Sequence, residues 1–375
     1  MEYKPYQPPS NTSQSNTSSA SSQSSTVTST KPAFSVPNSA FPATPKTATT
    51  TSGGTPTAFQ FTQSASSHNT THSTASASTF NYSSSSSSTN SNQAVPVMTT
   101  AELTDLRKLV EDVCGIHLEA DKQYLLETRL LKLLIEYDCQ TYTQLVQLCR
   151  GAKQNELRPK LVDLMTTKET MWFRDEHPYE TLKTHILPDL LKDRAPTDTI
   201  RIWSAACSTG QEPYSIAMCV NELASSSAIY NDLANGQRLK IKGTDIASSA
   251  VMLSKMGRYD MVAMGRGISD IRKNKFFTQQ GRAWVLKDEV KRIIEFEQAN
   301  LQADLSPLGL FDIIFMRNVA IYFSKEFKVQ LYAKLAKQLK PNGYLIIGST
   351  ESLLGLETPF KLEMQGKTSF YRLKK

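Results

Sequence analysis

Cysteine is scarce and unpatterned. The five residues (Cys114, Cys139, Cys149, Cys207 and Cys219) show no C-x-x-C spacing, and an odd number cannot pair completely. Free thiols in a reducing, cytoplasmic setting are therefore expected. Histidine offers no ligand set either: His68 and His72 stand near the N-terminus, and His117, His177 and His185 lack metal-ligand spacing, so no metal is expected. There is no run of about 18 apolar residues, which excludes a membrane-spanning helix. The start, Met1-Glu-Tyr-Lys-Pro-Tyr6, lacks the basic patch and apolar stretch of a secretory signal. Blocks of Lys or Arg are also missing. A formal charge of +7 without them reads as a mixed solvated surface, and no nucleic-acid partner is expected.

Charge is absent from one part of the chain in particular. Residues 1–100 hold 46 Ser or Thr but only four charged side chains, Glu2, Lys4, Lys31 and Lys46. Subtraction (77 − 4) leaves 73 charged residues for 101–375, close to an ordinary globular share. Such a leader cannot bury enough apolar surface to offset chain entropy, so residues 1–97 are expected to be a disordered tether. A docking role for Ala58-Phe-Gln-Phe61 is the alternative.

Beyond the leader the chain is patterned. Thr99-Thr-Ala-Glu102 reads as a capping box, with Leu103, Leu106, Leu109, Val110 and Val113 at helical spacing and Gly115 as the stop. Further helices are expected at about 120–136, 141–150 and 155–165, the last tolerating Pro159 only in its first turn. Short connections imply a compact helical domain over 98–166. Its Arg107, Lys108, Lys122, Arg129 and Lys132 could face an acidic helical partner, or simply be solvated.

From 167 to 375 the period changes. Strands are expected at 201–206, 239–244, 292–297, 311–316 and 343–347. Helices are expected from about Glu212, at 247–256 and at 325–339, the last stopped by Pro341-Asn-Gly343. Phe360–Lys374 reads as an antiparallel hairpin about Gly366. The expected fold class is α/β: a doubly wound, mostly parallel sheet ending in an antiparallel hairpin. Ligands of such sheets sit at the carboxyl ends of the strands, near the switch point. The turn Cys207-Ser-Thr-Gly210, Asp245, Asn300 and Arg317-Asn318 would all reach that rim. One glycine followed by Glu212 departs from G-x-G-x-x-G, and an acid there repels a phosphate but suits a cationic ligand. Asp245 could accept from both ribose hydroxyls. A nucleoside with a cationic tail and no phosphate is S-adenosylmethionine; the pattern alone leaves a nicotinamide dinucleotide, or no cofactor, open.

Four segments narrow the choice. They are Thr166-Thr-Lys-Glu-Thr-Met-Trp-Phe-Arg-Asp175, Ala205-Ala-Cys-Ser-Thr-Gly-Gln-Glu-Pro-Tyr-Ser215, Gly243-Thr-Asp-Ile246 and Arg317-Asn-Val-Ala-Ile-Tyr-Phe323. In identity, order and spacing they resemble the CheR family of chemotaxis protein methyltransferases, over about 99–375. The resemblance implies methyl transfer from S-adenosylmethionine to glutamates on the cytoplasmic helical domain of chemoreceptors. It also implies an N-terminal helical domain that helps recognise the receptor, and a small β-rich insertion at about 257–291. By motif position, Thr170, Arg174, Glu212, Asp245, Asn300, Leu301, Asn318 and Val319 would contact the methyl donor, while Arg174 and Tyr322 would face the substrate. Lys168 stands where some members have a cofactor-contacting Asn. Gln211 and Ala320 depart from the pattern without removing a contact. The stretch Thr278–Trp284 is short, which favours members that do not dock on a receptor's C-terminal pentapeptide.

The implied chemistry is an in-line displacement by a carboxylate already ionised at neutral pH, so no general base is needed. Two other readings remain: a noncatalytic sensor that binds S-adenosylmethionine, and a nucleic-acid methyltransferase. The rim has neither an Asn/Asp-Pro-Pro-Tyr/Phe motif nor a Pro-Cys nucleophile to support the second.

Overall fold

The computed structural model describes residues 96–192 and 194–374, so the leader lies almost wholly outside the described residues. Helix α1 (Thr100–Cys114) opens on the expected capping box: the Glu102 amide donates to Thr99 Oγ1 at 3.3 Å, and the Thr99 amide donates to Glu102 Oε2 at 3.0 Å. The other Glu102 oxygen accepts from the Thr143 amide at 2.9 Å, so one carboxylate ties α1 to the start of α3 (Tyr142–Arg150). Burial alone would raise the pKa of Glu102, but the hydrogen bonds from Thr99 and Thr143 outweigh it and hold the group below the usual value.

Helices α2 (Gln123–Glu136) and α4 (Gln154–Met165) complete the domain, with Leu106, Leu126, Leu130, Leu145, Leu157 and Leu161 in one core. Each such side chain contributes about 1.5–3 kcal/mol on burial. Pro159 is not in the first turn of α4 but in its interior. It is tolerated because the Asn155 carbonyl it leaves unbonded belongs to an exposed residue, where water can replace the lost amide. Of the basic residues on this domain, Arg129 donates to the Met165 carbonyl at 2.7 Å and Arg107 to that of Leu118. Those two guanidiniums serve the domain itself.

A helical stretch without clear periodicity comes next: α5 (His177–Thr181), a π-helical turn over Leu182–Ile186, and α6 (Leu187–Leu191). Pro178 and Pro188 break its pattern. The α/β region then alternates β1 (Ile200–Ala205), α7 (Gln211–Leu223), α8 (Ala228–Ala234), β2 (Leu239–Asp245) and α9 (Ser248–Met256). The insertion holds β3 (Arg258–Tyr259), α10 (Met261–Met264), α11 (Asp270–Phe276), β4 (Phe277–Gln280), β5 (Ala283–Leu286) and α12 (Asp288–Lys291). It is thus as helical as it is β. After it come β6 (Ile294–Gln298), β7 (Phe311–Met316), α13 (Lys325–Gln338), β8 (Leu339–Ile347), β9 (Phe360–Gln365) and β10 (Thr368–Leu373).

The main sheet runs β6-β2-β1-β7-β8-β10-β9. The first five strands are parallel and the β10–β9 hairpin is antiparallel. Every residue of β7 is buried, as expected for a central strand covered on both faces. Helix α13 stops before Pro341 rather than at it. Strand β8 begins at Leu339 and takes in Pro341, where its register against β7 shifts between Phe311 and Ile313. A proline has no amide to give to a ladder, and a bulge is where that costs least.

The insertion is a three-stranded sheet in the order β3-β5-β4. It grips the segment before α5. The Trp172 amide donates to the Arg266 carbonyl at 3.0 Å, and its indole donates to that of Ala263 at 3.1 Å. Gly267 makes this approach possible: its φ is +88°, and a Cβ there would lie 2.1 Å from the Trp172 carbonyl oxygen. Gly267→Ala is expected to lose at least about 2 kcal/mol of stability, measured by urea unfolding. An unchanged midpoint would contradict the close packing of insertion and segment.

Candidate active site

The order of the main sheet reverses at β1: chain order runs outward to β2 and β6 on one side, then to β7 on the other. A cavity opens at the carboxyl ends of these strands. All nine residues singled out from the sequence line it: Thr170, Arg174, Glu212, Asp245, Asn300, Leu301, Asn318, Val319 and Tyr322. The helical domain supplies part of the wall through Cys114 and Ile116, which sequence reasoning did not assign to the site.

Asp245 ends β2 and is buried. Its Oδ2 accepts from the Ser208 amide at 2.8 Å and its Oδ1 from the Ala247 amide at 2.9 Å. Burial raises its pKa, against those two hydrogen bonds and the charge of Lys168. An ionised carboxylate has about four acceptor positions, so two remain. Ser208 stands at φ +51°, and its hydroxyl donates to the Lys168 carbonyl at 2.9 Å. The turn after β1 is thereby pinned to both the acid and the motif segment. Lys168 also lines the cavity, and its amine pairs with Asp163 of α4 at 3.2 Å.

Glu212 lies in the first turn of α7, just after Gly210 at φ +95°, where a Cβ would come within 2.8 Å of Ser254. Its Oε1 accepts from the Ser204 hydroxyl at 2.7 Å, and its Oε2 meets the Arg317 guanidinium at 3.1 Å. Arg317, which the sequence reading puts on the rim, is the main residue to which that reading gives no role. Its side chain is 1% exposed, and it also pairs with Asp175 at 2.6 Å and donates to the Arg174 carbonyl at 2.8 Å. Burial opposes its charge, yet Tyr179, Glu212 and Asp175 together hold its pKa above the ordinary value. An arginine directly after a wholly buried strand was the available signal, since such a charge must be paired. Two acids against one base leave this cluster with a formal charge of −1.

Arg174 gives this network only its carbonyl. Arg174 lines the cavity, and its guanidinium makes no hydrogen bond or ion pair among the described residues. The Tyr322 hydroxyl is likewise without a protein partner among them, and the residue is 37% exposed. The Tyr322 carbonyl accepts from the His117 amide at 2.8 Å, which places the loop after α1 against the site. The Asn300 amide group donates to the Val113 carbonyl at 3.1 Å while its Oδ1 accepts from Gln302, so much of its polarity is spent on that same junction. The Asn318 amide donates to Glu351 at 2.7 Å, with φ at +59°. Cys114 and Cys207 contribute neutral thiols: burial pushes Cys114 up to about 12 and Cys207 well above its usual value, so neither is a ready nucleophile.

Positive φ at non-glycine residues concentrates here, at Phe173, Asp175, Glu176, Ala206, Ser208 and Asn318. Each costs about 1–3 kcal/mol and persists only where the surroundings fix it, as they do at sites that must hold a geometry. Among the described residues no group of three or more His, Cys, Asp or Glu is set to hold a metal ion, and no helix is long and apolar enough to cross a membrane.

Comparison with known proteins gives the family. Residues 168–369 match the model of the CheR methyltransferase SAM-binding domain, and residues 101–166 that of the CheR methyltransferase all-alpha domain. Chemotaxis protein methyltransferase 1 of Pseudomonas aeruginosa is 39% identical over 275 residues, which is 73% of this chain and 98% of that protein. The chemotaxis protein methyltransferase of Vibrio parahaemolyticus is 39% identical over 274 residues, 73% of this chain and 97% of the relative. A solved TehB-like SAM-dependent methyltransferase from Corynebacterium glutamicum is 15% identical, covering 51% of this chain and 87% of that one at a TM-score of 0.29, and adds nothing to the sequence matches. Two family models that adjoin across the described residues, one of them covering more than half of the chain, place this protein in the CheR methyltransferase family.

Proposed function

We propose that this protein transfers the methyl group of S-adenosylmethionine to glutamate side chains on the cytoplasmic helical domain of chemoreceptors, forming glutamate methyl esters in the cytoplasm. The observation that carries the reading is the charge arrangement of one cavity: a net negative cluster at Glu212, a buried acid with spare acceptor positions at Asp245, and an unengaged guanidinium at Arg174.

The lining fits such a donor. The Glu212–Arg317–Asp175 cluster is short of one positive charge, which an amino-acid ammonium would supply. Asp245 keeps acceptor positions for ribose hydroxyls. Arg317 Nε and Asn318 Oδ1 are buried without partners among the described residues, so a donor and an acceptor are unspent beside the cavity. A diphosphate would meet Glu212 where it needs positive charge. Thr170, Asn300, Leu301, Asn318 and Val319 line the remaining wall for the nucleoside.

When bound, S-adenosylmethionine supplies a methyl group activated by a sulfonium. The protein then has to orient the attacking carboxylate and exclude water. A glutamate with an ordinary pKa is already ionised, which suits a lining without histidine. Arg174 can fork onto that carboxylate, and the Tyr322 hydroxyl can donate to its second oxygen. The turn between β4 and β5 is only Gly281-Arg282, which supports docking without a C-terminal pentapeptide tether.

Incubation with methyl-labelled donor and the cell's receptor fraction should place base-labile label on receptor glutamates. Donor binding with no transfer would instead favour a noncatalytic sensor, and label on nucleic acid would remove the present reading.

A further inference from the structure

Arg174 stands in a turn that a free peptide would not hold, between Phe173 at φ +47° and Asp175 and Glu176 at +68° and +41°. Arg317 holds one side of this turn through the Arg174 carbonyl and the Asp175 carboxylate. The insertion holds the other. Arg272 on α11 lies over the Phe173 ring, with its guanidinium carbon 3.7 Å from the ring centroid. The same guanidinium forks onto Glu222 of α7 at 2.6 and 3.2 Å. Phe173 meets Tyr179 edge-on at 5.3 Å, so its ring contacts both that tyrosine and Arg272.

We propose that Arg272 is a positioning residue for methyl transfer, fixing through Phe173 the direction in which Arg174 enters the cavity. The inference rests on the reading of Arg174 as the group that orients the substrate carboxylate. Two observations separate it from a plain ion pair. Glu222 already has a second cation, Lys183, at 3.1 Å, so neutralising that acid does not require Arg272. What Arg272 alone supplies is a flat cation against the ring of the residue that precedes Arg174. Planarity is the property that lysine lacks. A displacement of about 1 Å at a positioning group costs roughly 10²-fold in rate. A rotated Phe173 would pass such a displacement directly to its neighbour.

The test uses the full chain with S-adenosylmethionine and a soluble receptor fragment. For Arg272→Lys the melting temperature and the affinity for S-adenosylhomocysteine should stay near those of the unmutated protein, while kcat falls about tenfold or more and KM for receptor changes little. Arg272→Ala should lose at least as much kcat. Phe173→Leu, which stays apolar but offers no ring, should show the same loss and serves if the Arg272 variants fold poorly. Full turnover in Arg272→Lys or in Phe173→Leu would overturn the proposal. A fully active Arg174→Ala would overturn it together with the site reading. An inactive Arg174→Ala beside a fully active Arg272→Lys would fault this inference alone.

Discussion

Replacing Arg317 with methionine is expected to lower the melting temperature by roughly 10 °C, the largest stability effect of any single change at the site. Methionine fills similar space, so the loss is chiefly electrostatic. The guanidinium serves Glu212, Asp175, the Arg174 carbonyl and, at 3.5 Å, the Tyr179 hydroxyl. Removing it leaves two acids close together with no cation between them. Breaking a buried pair from one side costs about 3–5 kcal/mol, because the stranded charge keeps its desolvation penalty. In a domain of this size each kcal/mol moves the midpoint by about 2–4 °C. Scanning calorimetry reads the shift directly, and a midpoint within about 2 °C of the parent would show that the acids are adequately solvated without Arg317. Methyl transfer should also fail at temperatures where the variant is folded, since the turn carrying Arg174 has lost the Arg317 contacts to the Arg174 carbonyl and the Asp175 carboxylate.

The second large effect is catalytic. Arg174→Ala should reduce kcat by about 10²–10³-fold, the scale seen when one preorganised donor is deleted from an active site. Stability should hardly move, because the guanidinium has no protein partner among the described residues to strand. Arg174→Lys should recover little, since an ammonium cannot fork onto a carboxylate in fixed geometry. Asp245→Ala should behave differently, weakening the methyl donor by roughly 30-fold or more through lost charged hydrogen bonds. Calorimetric titration with S-adenosylhomocysteine, run beside a single-turnover assay, separates the two. If Arg174→Ala lost affinity and kept its rate, the two roles would have to be exchanged.

The parts legible in the sequence were those governed by neighbours in the chain. The Thr99–Glu102 capping box, the parallel strands and the rim position of Asp245 follow from local spacing and the rule for sheet ends. Pro159 and the start of β8 were misplaced because both depend on what lies elsewhere. One needs an exposed carbonyl a turn earlier, and the other a bulge against β7. The helix around Pro178 and Pro188 hides its period behind two breakers. Arg317 was placed on the rim but given no task, since nothing in Arg317-Asn318 announces that Asp175 and Glu212 will close around it. The turn at 173–176 is equally silent, for its residues are ordinary and its positive φ at Phe173, Asp175 and Glu176 depends on contacts from distant parts of the chain.

Ala247, just before α9, and Ala250 within it belong to the core of the helical domain, and that domain in turn lends Cys114 and Ile116 to the cavity. The two portions therefore cannot be used as interchangeable cassettes. Severing the polypeptide near Thr166 would strip a greasy patch bare on each fragment and turn a pouch into an open gutter. Evolutionary swapping of the front portion, to suit a new target, must carry matching changes on α9 and at Asn300 and Gln302, whose side chains grip the carbonyls of Val113 and Glu111.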